Sequence, residues 1–315
     1  MAVYTTVTVE QATPLLADLG LGKLEHLEPC KGGIENTNYF ADTTRGQFVL
    51  TLFERLSHEQ LPFYLELMRH LAKQGIAVPM PEANSQGIIL HTLCGKPAAV
   101  VNKLAGRNDG AVTASRCEQV GAMLARMHLA GQDFPLTQPN LRGLAWWNET
   151  VPVVLPYLES EQAALFQSEL NYQNTVAQSS EYAALPRGAI HADLFRDNVM
   201  FDTFNGKDTL TGFFDFYFAG TDTWLFDICV CLNDWCIDHA TGSANPALQS
   251  SFLEGYENIR TLTAPERQLL PAMLRAAALR FWISRLWDFY LPRDASLLTP
   301  HDPTHFERVL TQRLP

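Results

Sequence analysis

Three oxygen-bearing side chains at fixed spacing carry the most chemistry in this chain. Asp193 and Asn198 lie in His191–Ala–Asp–Leu–Phe–Arg–Asp–Asn198, and Asp215 opens Asp215–Phe–Tyr217. A loop carboxylate such as Asp193 can orient an attacking hydroxyl and take its proton. The Asn198 amide oxygen and the Asp215 carboxylate are hard donors suited to Mg2+ rather than to a softer metal. Together these are the parts needed to move the terminal phosphoryl group of ATP onto an alcohol. H-x-D alone is common, and a lone Asp in a loop is most often a cap or a solvated turn residue. The conjunction H-x-D-x-x-x-x-N, strand, turn, strand, D-F is far rarer, and its order is that of a catalytic loop followed by a metal loop. His191 is expected to hold the loop rather than to accept the proton.

Such residues need elements that aim them. Residues 188–191 and 199–201 read as strand-like flanks of the loop. Residues 210–214 read as the strand that returns Asp215 beside Asn198, across an Asn205–Gly206 hairpin turn. Upstream, a helix near residues 10–18 ends at Gly20–Leu–Gly22, and two strands follow around a Gly32–Gly33 turn and a Thr44–Arg–Gly46 turn. Leu61, Leu65, Met68 and Leu71 give helical spacing over residues 62–74, and residues 88–93 and 98–103 read as paired strands. From Thr113 onward the pattern is mainly helical. Ser115-x-x-Glu118 is read as a capping box, with Val120, Met123, Leu124 and Met127 as the buried stripe behind it. Further helices are expected over residues 146–158 and 161–179, and again from Leu225. The expected fold is α+β with two lobes: a small antiparallel sheet lobe over residues 1–103 and a larger, mainly helical lobe over 104–315.

Composition narrows the partners. The chain has 315 residues, 47% hydrophobic and 18% charged, which is globular composition. Its formal net charge of −11 would repel nucleic acid or an anionic membrane surface, so neither is expected as a partner. The first residues show no basic and apolar leader, and the apolar runs are too short to span a bilayer. The six cysteines form no C-x-x-C pair and no cluster with zinc spacing, as expected for free thiols in a reducing cytoplasm. Oligomeric state is not readable from these features.

The chain resembles the aminoglycoside-phosphotransferase branch of the protein-kinase-like fold, whose loop reads H-G-D-L-x-x-x-N followed by I-D-F/W. Within that branch it most closely resembles the bacterial homoserine kinases of this type. The closer match is carried by Glu35–Asn–Thr–Asn–Tyr39, Phe48–Val–Leu–Thr–Leu52, residues 191–201, Asp215–Phe–Tyr217, Leu232–Asn–Asp–Trp–Cys236 and Leu279–Arg–Phe–Trp–Ile–Ser–Arg–Leu286. The resemblance implies ATP- and Mg2+-dependent phosphorylation of L-homoserine to O-phospho-L-homoserine on the route to threonine. It implies a nucleotide site formed by Gly32, Gly33, Asn36, Asn38, Thr51, Val101 and Lys103. Thr51 stands where related enzymes carry a lysine, which leaves Lys31, Arg55 or a second Mg2+ to balance the phosphates; Glu66 is the candidate for that lysine's usual glutamate partner. On the acceptor side the candidates are His191, Asp234, Trp235, Arg280 and Arg285. Homoserine needs an acid or carbonyl for its ammonium and preferably an arginine for its carboxylate. Asp227 is expected to be a structural carboxylate. Rival readings are a kinase for choline or ethanolamine, methylthioribose or an aminoglycoside, and a nucleotide-binding scaffold without catalysis. Aromatic helices bearing arginines after residue 225 favour a small acceptor with an anionic group.

Overall fold

The computed structural model describes residues 4–30, 36–291 and 301–315. Gly32, Gly33 and Lys31, expected at the phosphate turn, lie outside the described residues. The chain divides into two compact units, Met1–Ala105 with Gly212–Phe214, and Gly106–Thr211 with Asp215–Pro315.

The first unit begins with helix α1 (Val9–Asp18), capped by Thr8. A five-stranded antiparallel sheet follows, built from β1 (Leu24–Pro29), β2 (Asn36–Thr43), β3 (Gly46–Phe53), β4 (His91–Leu93) and β5 (Lys96–Asn102), in the order β1-β2-β3-β5-β4. Strand β2 alternates strictly between buried and half-buried residues, which sends Thr37, Tyr39, Ala41 and Thr43 to one covered face. Leu50 and Leu52 of β3 join Ala12 and Leu16 of α1 in the core of this unit. Helix α2 (Pro62–Lys73) starts with Pro62 in its first turn, where the missing N–H costs no hydrogen bond.

Two differences from the sequence reading have physical causes. Strand β1 carries no apolar alternation that marks it in the sequence, because Glu25 and His26 are adjacent and exposed and break the period of two. The turn into β5 comes earlier than expected, at Cys94–Gly95, where both residues have positive φ (51° and 75°). That is the pairing a two-residue hairpin turn demands, with a cysteine in a place usually taken by Asn or Asp.

The second unit holds helices α3 (Ala114–Ala130), α4 (Leu144–Val154), α5 (Ser160–Ala177), α6 (Ser180–Ala183), α7 (Trp224–Trp235), α8 (Pro246–Glu257), α9 (Ala264–Tyr290) and α10 (His305–Thr311). Helix α3 is capped by Thr113, not by Ser115: the Thr113 side chain accepts from the Arg116 N–H. Strand β6 (Arg187–Ile190) pairs with β9 (Gly220–Thr223), and β7 (Val199–Phe204) forms a hairpin with β8 (Lys207–Phe213). The hairpin turns at Asn205–Gly206, with φ of 51° and 75°. Every residue of α7 is buried, and it packs on α9, whose Trp282 meets Phe166 of α5 edge-on at 4.8 Å. Truncating so large a buried ring costs about 3–5 kcal/mol. Helices α3 and α8 approach closely because Gly121 and Gly255 face each other's backbones. A Cβ on Gly121 would fall 2.1 Å from the Phe252 carbonyl oxygen. Among the described residues no helix is long and apolar enough to cross a membrane.

Candidate active site

The candidate catalytic loop leaves β6 at Ile190 and enters β7 at Val199, so two strands fix its ends. Between them α7 holds the loop at three points. Asp227, in the first turn of α7 and fully buried, accepts the backbone N–H groups of His191 and Ala192, each at 2.8 Å. Two turns further along, Asp234 accepts the N–H of Arg196 at 2.8 Å, and the indole of Trp235 donates to the Leu194 carbonyl at 3.0 Å. Positions 227, 234 and 235 share one helix face, since seven and eight residues are about two turns. Asp227 is itself held by His128 of α3, whose Nε2 lies 3.0 Å from its Oδ2. The other ring nitrogen of His128 meets the Tyr256 hydroxyl of α8 at 2.8 Å. The expected structural role of Asp227 thus has a geometry.

Within the loop, the Asp193 N–H donates to Nδ1 of His191 at 3.3 Å, and the His191 ring packs on Phe216 at 4.6 Å. Ala192 takes a left-handed conformation (φ 65°), at the position where the resembled families carry glycine. The Asn198 side-chain nitrogen donates to the Asp193 carbonyl at 2.8 Å. With its nitrogen so committed, the amide presents its oxygen as the remaining acceptor. Asp215 is also left-handed (φ 68°, ψ 61°), a conformation that Asp tolerates better than most residues.

The electrostatics of this cluster are unbalanced. Burial pushes the Asp193 carboxyl up to about 8; Arg280 pulls it down, Asp215 and Asp197 add to the rise, and Arg285 opposes it. Burial raises Asp234 as well, against the lowering influence of Arg196. For Asp227, hydrogen bonding and charge from His128, with the His191 contacts, outweigh burial, and its pKa lies below the usual value. Asp215 raises the Asp193 carboxyl, so the two acids act on each other, and carboxylates with an uncommitted amide oxygen are the hard-donor chemistry that suits a divalent cation.

The second unit therefore contains Asp193, Asn198, Asp215, His191, Asp234, Trp235, Arg280 and Arg285. Asp234 is occupied with Arg196, its Oδ2 lying 3.3 Å from the Arg196 Nε as well, and Trp235 is 2% exposed; both support the loop from behind. Arg280 is 3% exposed, and its Nε and Nη2 find no hydrogen-bond partner among the described residues. Arg285 is half-buried, and burial lowers its pKa against the opposing charges of Asp193, Asp288, Asp197 and Asp234.

In the first unit, Asn38 and Thr51 face each other across β2 and β3, and the Thr51 hydroxyl donates to the Asn38 side-chain oxygen at 2.7 Å. Asn36 pairs with Phe53 at the end of the same ladder. Val101 pairs with Val49 in β5, and the Lys103 ammonium lies 4.4 Å from the Phe40 ring centroid. Glu66 pairs with Arg69 one turn away, not with a strand lysine. What the sequence reading missed is His128 and Tyr256 behind Asp227. The signal was faint: a lone histidine in an apolar helix stripe usually means only a satisfied core residue.

Comparison with known proteins identifies the family. The phosphotransferase enzyme family matches residues 26–264. A homoserine kinase of Polaromonas naphthalenivorans (strain CJ2) is 63% identical over 314 residues, covering 100% of this chain and 98% of its own. A homoserine kinase of Janthinobacterium sp. (strain Marseille) is 54% identical, covering 100% and 96%. Among solved structures, an amicoumacin kinase in complex with AMP-PNP, Ca2+ and Ami has a TM-score of 0.70 at 18% identity, covering 96% of this chain and 91% of its own. A microcompartment-associated aminopropanol kinase has a TM-score of 0.65 at 16% identity, covering 96% and 94%. The fold is accordingly α+β and protein-kinase-like.

Proposed function

The chain belongs to the phosphotransferase enzyme family and is an enzyme that phosphorylates an alcohol; on that premise we propose that its donor is ATP and its acceptor L-homoserine. The observation that carries the acceptor is the end-to-end match to relatives bearing that name. The geometry of the loop supports the rest.

Asp193 orients the acceptor hydroxyl and takes its proton as the oxygen attacks the γ-phosphorus. The new O–P bond forms while the bond to the β-phosphate oxygen breaks, giving O-phospho-L-homoserine and ADP. Asn198 and Asp215 would hold Mg2+, which would supply positive charge against the phosphates. His191 positions Asp193 through its own ring nitrogen, and Asp227, Asp234 and Trp235 fix the backbone of the loop. On the donor side, Gly32, Gly33, Asn36, Asn38, Thr51, Val101 and Lys103 are the proposed nucleotide contacts. The product has the chemistry of a precursor of threonine, and the enzyme would work in the cytoplasm.

The test is ADP release in a coupled assay, with Mg·ATP and a panel of L-homoserine, choline, ethanolamine, methylthioribose and an aminoglycoside. L-Homoserine should give the highest kcat/KM. A higher value for choline or the aminoglycoside would remove the acceptor assignment.

A further inference from the structure

A buried arginine normally has its donors taken up by acids or carbonyls, because an unsatisfied cation in a low-dielectric interior is costly. Arg280 of α9 breaks that rule. It is 3% exposed, and Nε and Nη2 have no hydrogen-bond partner among the described residues. These are the adjacent donors on one edge of the guanidinium plane, the edge that matches the two oxygens of a carboxylate. An unpaired group of this kind in a folded enzyme calls for an anion that arrives from outside.

Its position limits which anion. The guanidinium carbon lies 3.8 Å from the centroid of the Phe281 ring, and Phe281 packs at 4.4 Å on Phe195, two residues beyond Asp193. It also lies 5.0 Å from the ring of Phe218, three residues beyond Asp215. Arg280 is thereby held next to both the loop of the proposed base and the segment that carries the proposed metal ligand. Burial pulls its pKa down to about 10; Asp193 is the leading charge opposing that, and Arg142 the leading charge adding to it. Arg142 is half-buried, with its guanidinium 4.4 Å from the Trp146 ring centroid. Arg142 and Arg285 both add positive charge around Arg280, opposed by Asp193 and Asp288, and a buried guanidinium edge in such a field is a receptor for an acceptor's anionic end. Arg285 differs in being half-buried, with Asp197 and Asp234 acting on it besides Asp193 and Asp288.

We propose that Arg280, with Arg142 as its second cation, holds the carboxylate of an amino-acid acceptor and selects it over the amino alcohol lacking that group. The inference rests on the homoserine reading above: the hydroxyl at one end of the molecule meets Asp193, and the carboxylate at the other meets the free edge of Arg280.

The experiment compares L-homoserine with 3-aminopropan-1-ol, which keeps hydroxyl and ammonium and replaces the carboxylate by hydrogen. In the wild-type enzyme the ratio of the two kcat/KM values should strongly favour L-homoserine. Arg280→Met should collapse that ratio about 10²-fold, mainly through KM for L-homoserine, the scale of a lost bidentate charged pair. Arg280→Lys, which keeps the charge without the fork, should lie between the two. Arg142→Met should lower the ratio about three- to tenfold. Equal losses on both acceptors in Arg280→Met would overturn the proposal, because the guanidinium would then serve the transferred phosphoryl group or the fold. Should Arg280→Met fail to fold, an unchanged ratio in both Arg280→Lys and Arg142→Met overturns it in the same way. Wild-type enzyme that ignores L-homoserine would instead defeat the acceptor reading, a result visible before any variant is made.

Discussion

Asp227 accepts the backbone N–H of Ala192 at 2.8 Å, so a buried carboxylate on α7 fixes the residue immediately before the proposed base. The same carboxylate takes the N–H of His191 and pairs with His128. Replacing it by Asn leaves one oxygen to serve three donors. Asp227→Asn should lower stability by about 3 kcal/mol, the scale of breaking a buried pair. It should also lower kcat at least about tenfold while ATP affinity changes little, because the loop loses its register. Urea denaturation and initial rates measure both, and an unchanged midpoint with full turnover would refute this role.

Ala192 sits in a left-handed conformation with φ of 65°. Relief of about 1–2 kcal/mol of backbone strain in Ala192→Gly is partly offset by the greater freedom of glycine in the unfolded chain. Stability should therefore stay level or rise by up to about 1 kcal/mol, with activity retained. Ala192→Val, which adds a branched Cβ in the same conformation, should lose both stability and kcat. Thermal melting of the pair decides the matter; equal midpoints would contradict it.

His128 and His305 should each cost stability as the pH drops below about 6.5. Burial lowers the His128 pKa, so the native chain keeps this ring neutral while the unfolded chain protonates it. Burial pushes His305 down to about 4, with the same sign. At these two rings the unfolded state binds more protons, a contribution that raises stability with pH, while the Asp193 carboxyl, pushed up to about 8, acts with the opposite sign in the same window. Asp227, whose pKa is lowered in the fold, adds a second loss as the pH falls below about 4. On going from pH 7.5 to pH 5, the denaturation midpoint of His128→Gln should fall less, or rise more, than that of the wild type. A His128→Gln midpoint with the same pH dependence as the wild type would be the contrary result.

Much of the proposed site rests on residue types in order. The H-x-D-x-x-x-x-N run and the D-F that follows name Asp193, Asn198 and Asp215 because their chemistry and their separation by a hairpin are local facts. Asn205–Gly206 announced that hairpin by conformational preference alone. The supports were harder to see. Asp227, Asp234 and Trp235 share a purpose only once α7 is known to be buried all round, and sequence spacing leaves a polar pair at a helix end just as plausible as a substrate clamp. Arg280 and Arg285 look alike in the sequence. They separate only in the fold, where Arg280 is buried with two donors unpartnered among the described residues and Arg285 is half-buried. Strand β1 and the Cys94–Gly95 turn lacked any apolar alternation or customary turn residue to mark them.

Asp215→Ala removes a proposed metal ligand without touching the supports of the loop. Titration calorimetry with ATP should show Mg2+ strengthening binding in the wild type and having little effect in the variant. A variant whose ATP affinity still rises with Mg2+ as in the wild type would place the metal elsewhere.

The most direct test of the account is steady-state turnover of L-homoserine by Asp193→Asn at saturating Mg·ATP. The account predicts a kcat at least about 10²-fold below wild type, as expected for loss of a general base, with ATP affinity nearly unchanged. Turnover equal to wild type in that variant would contradict it.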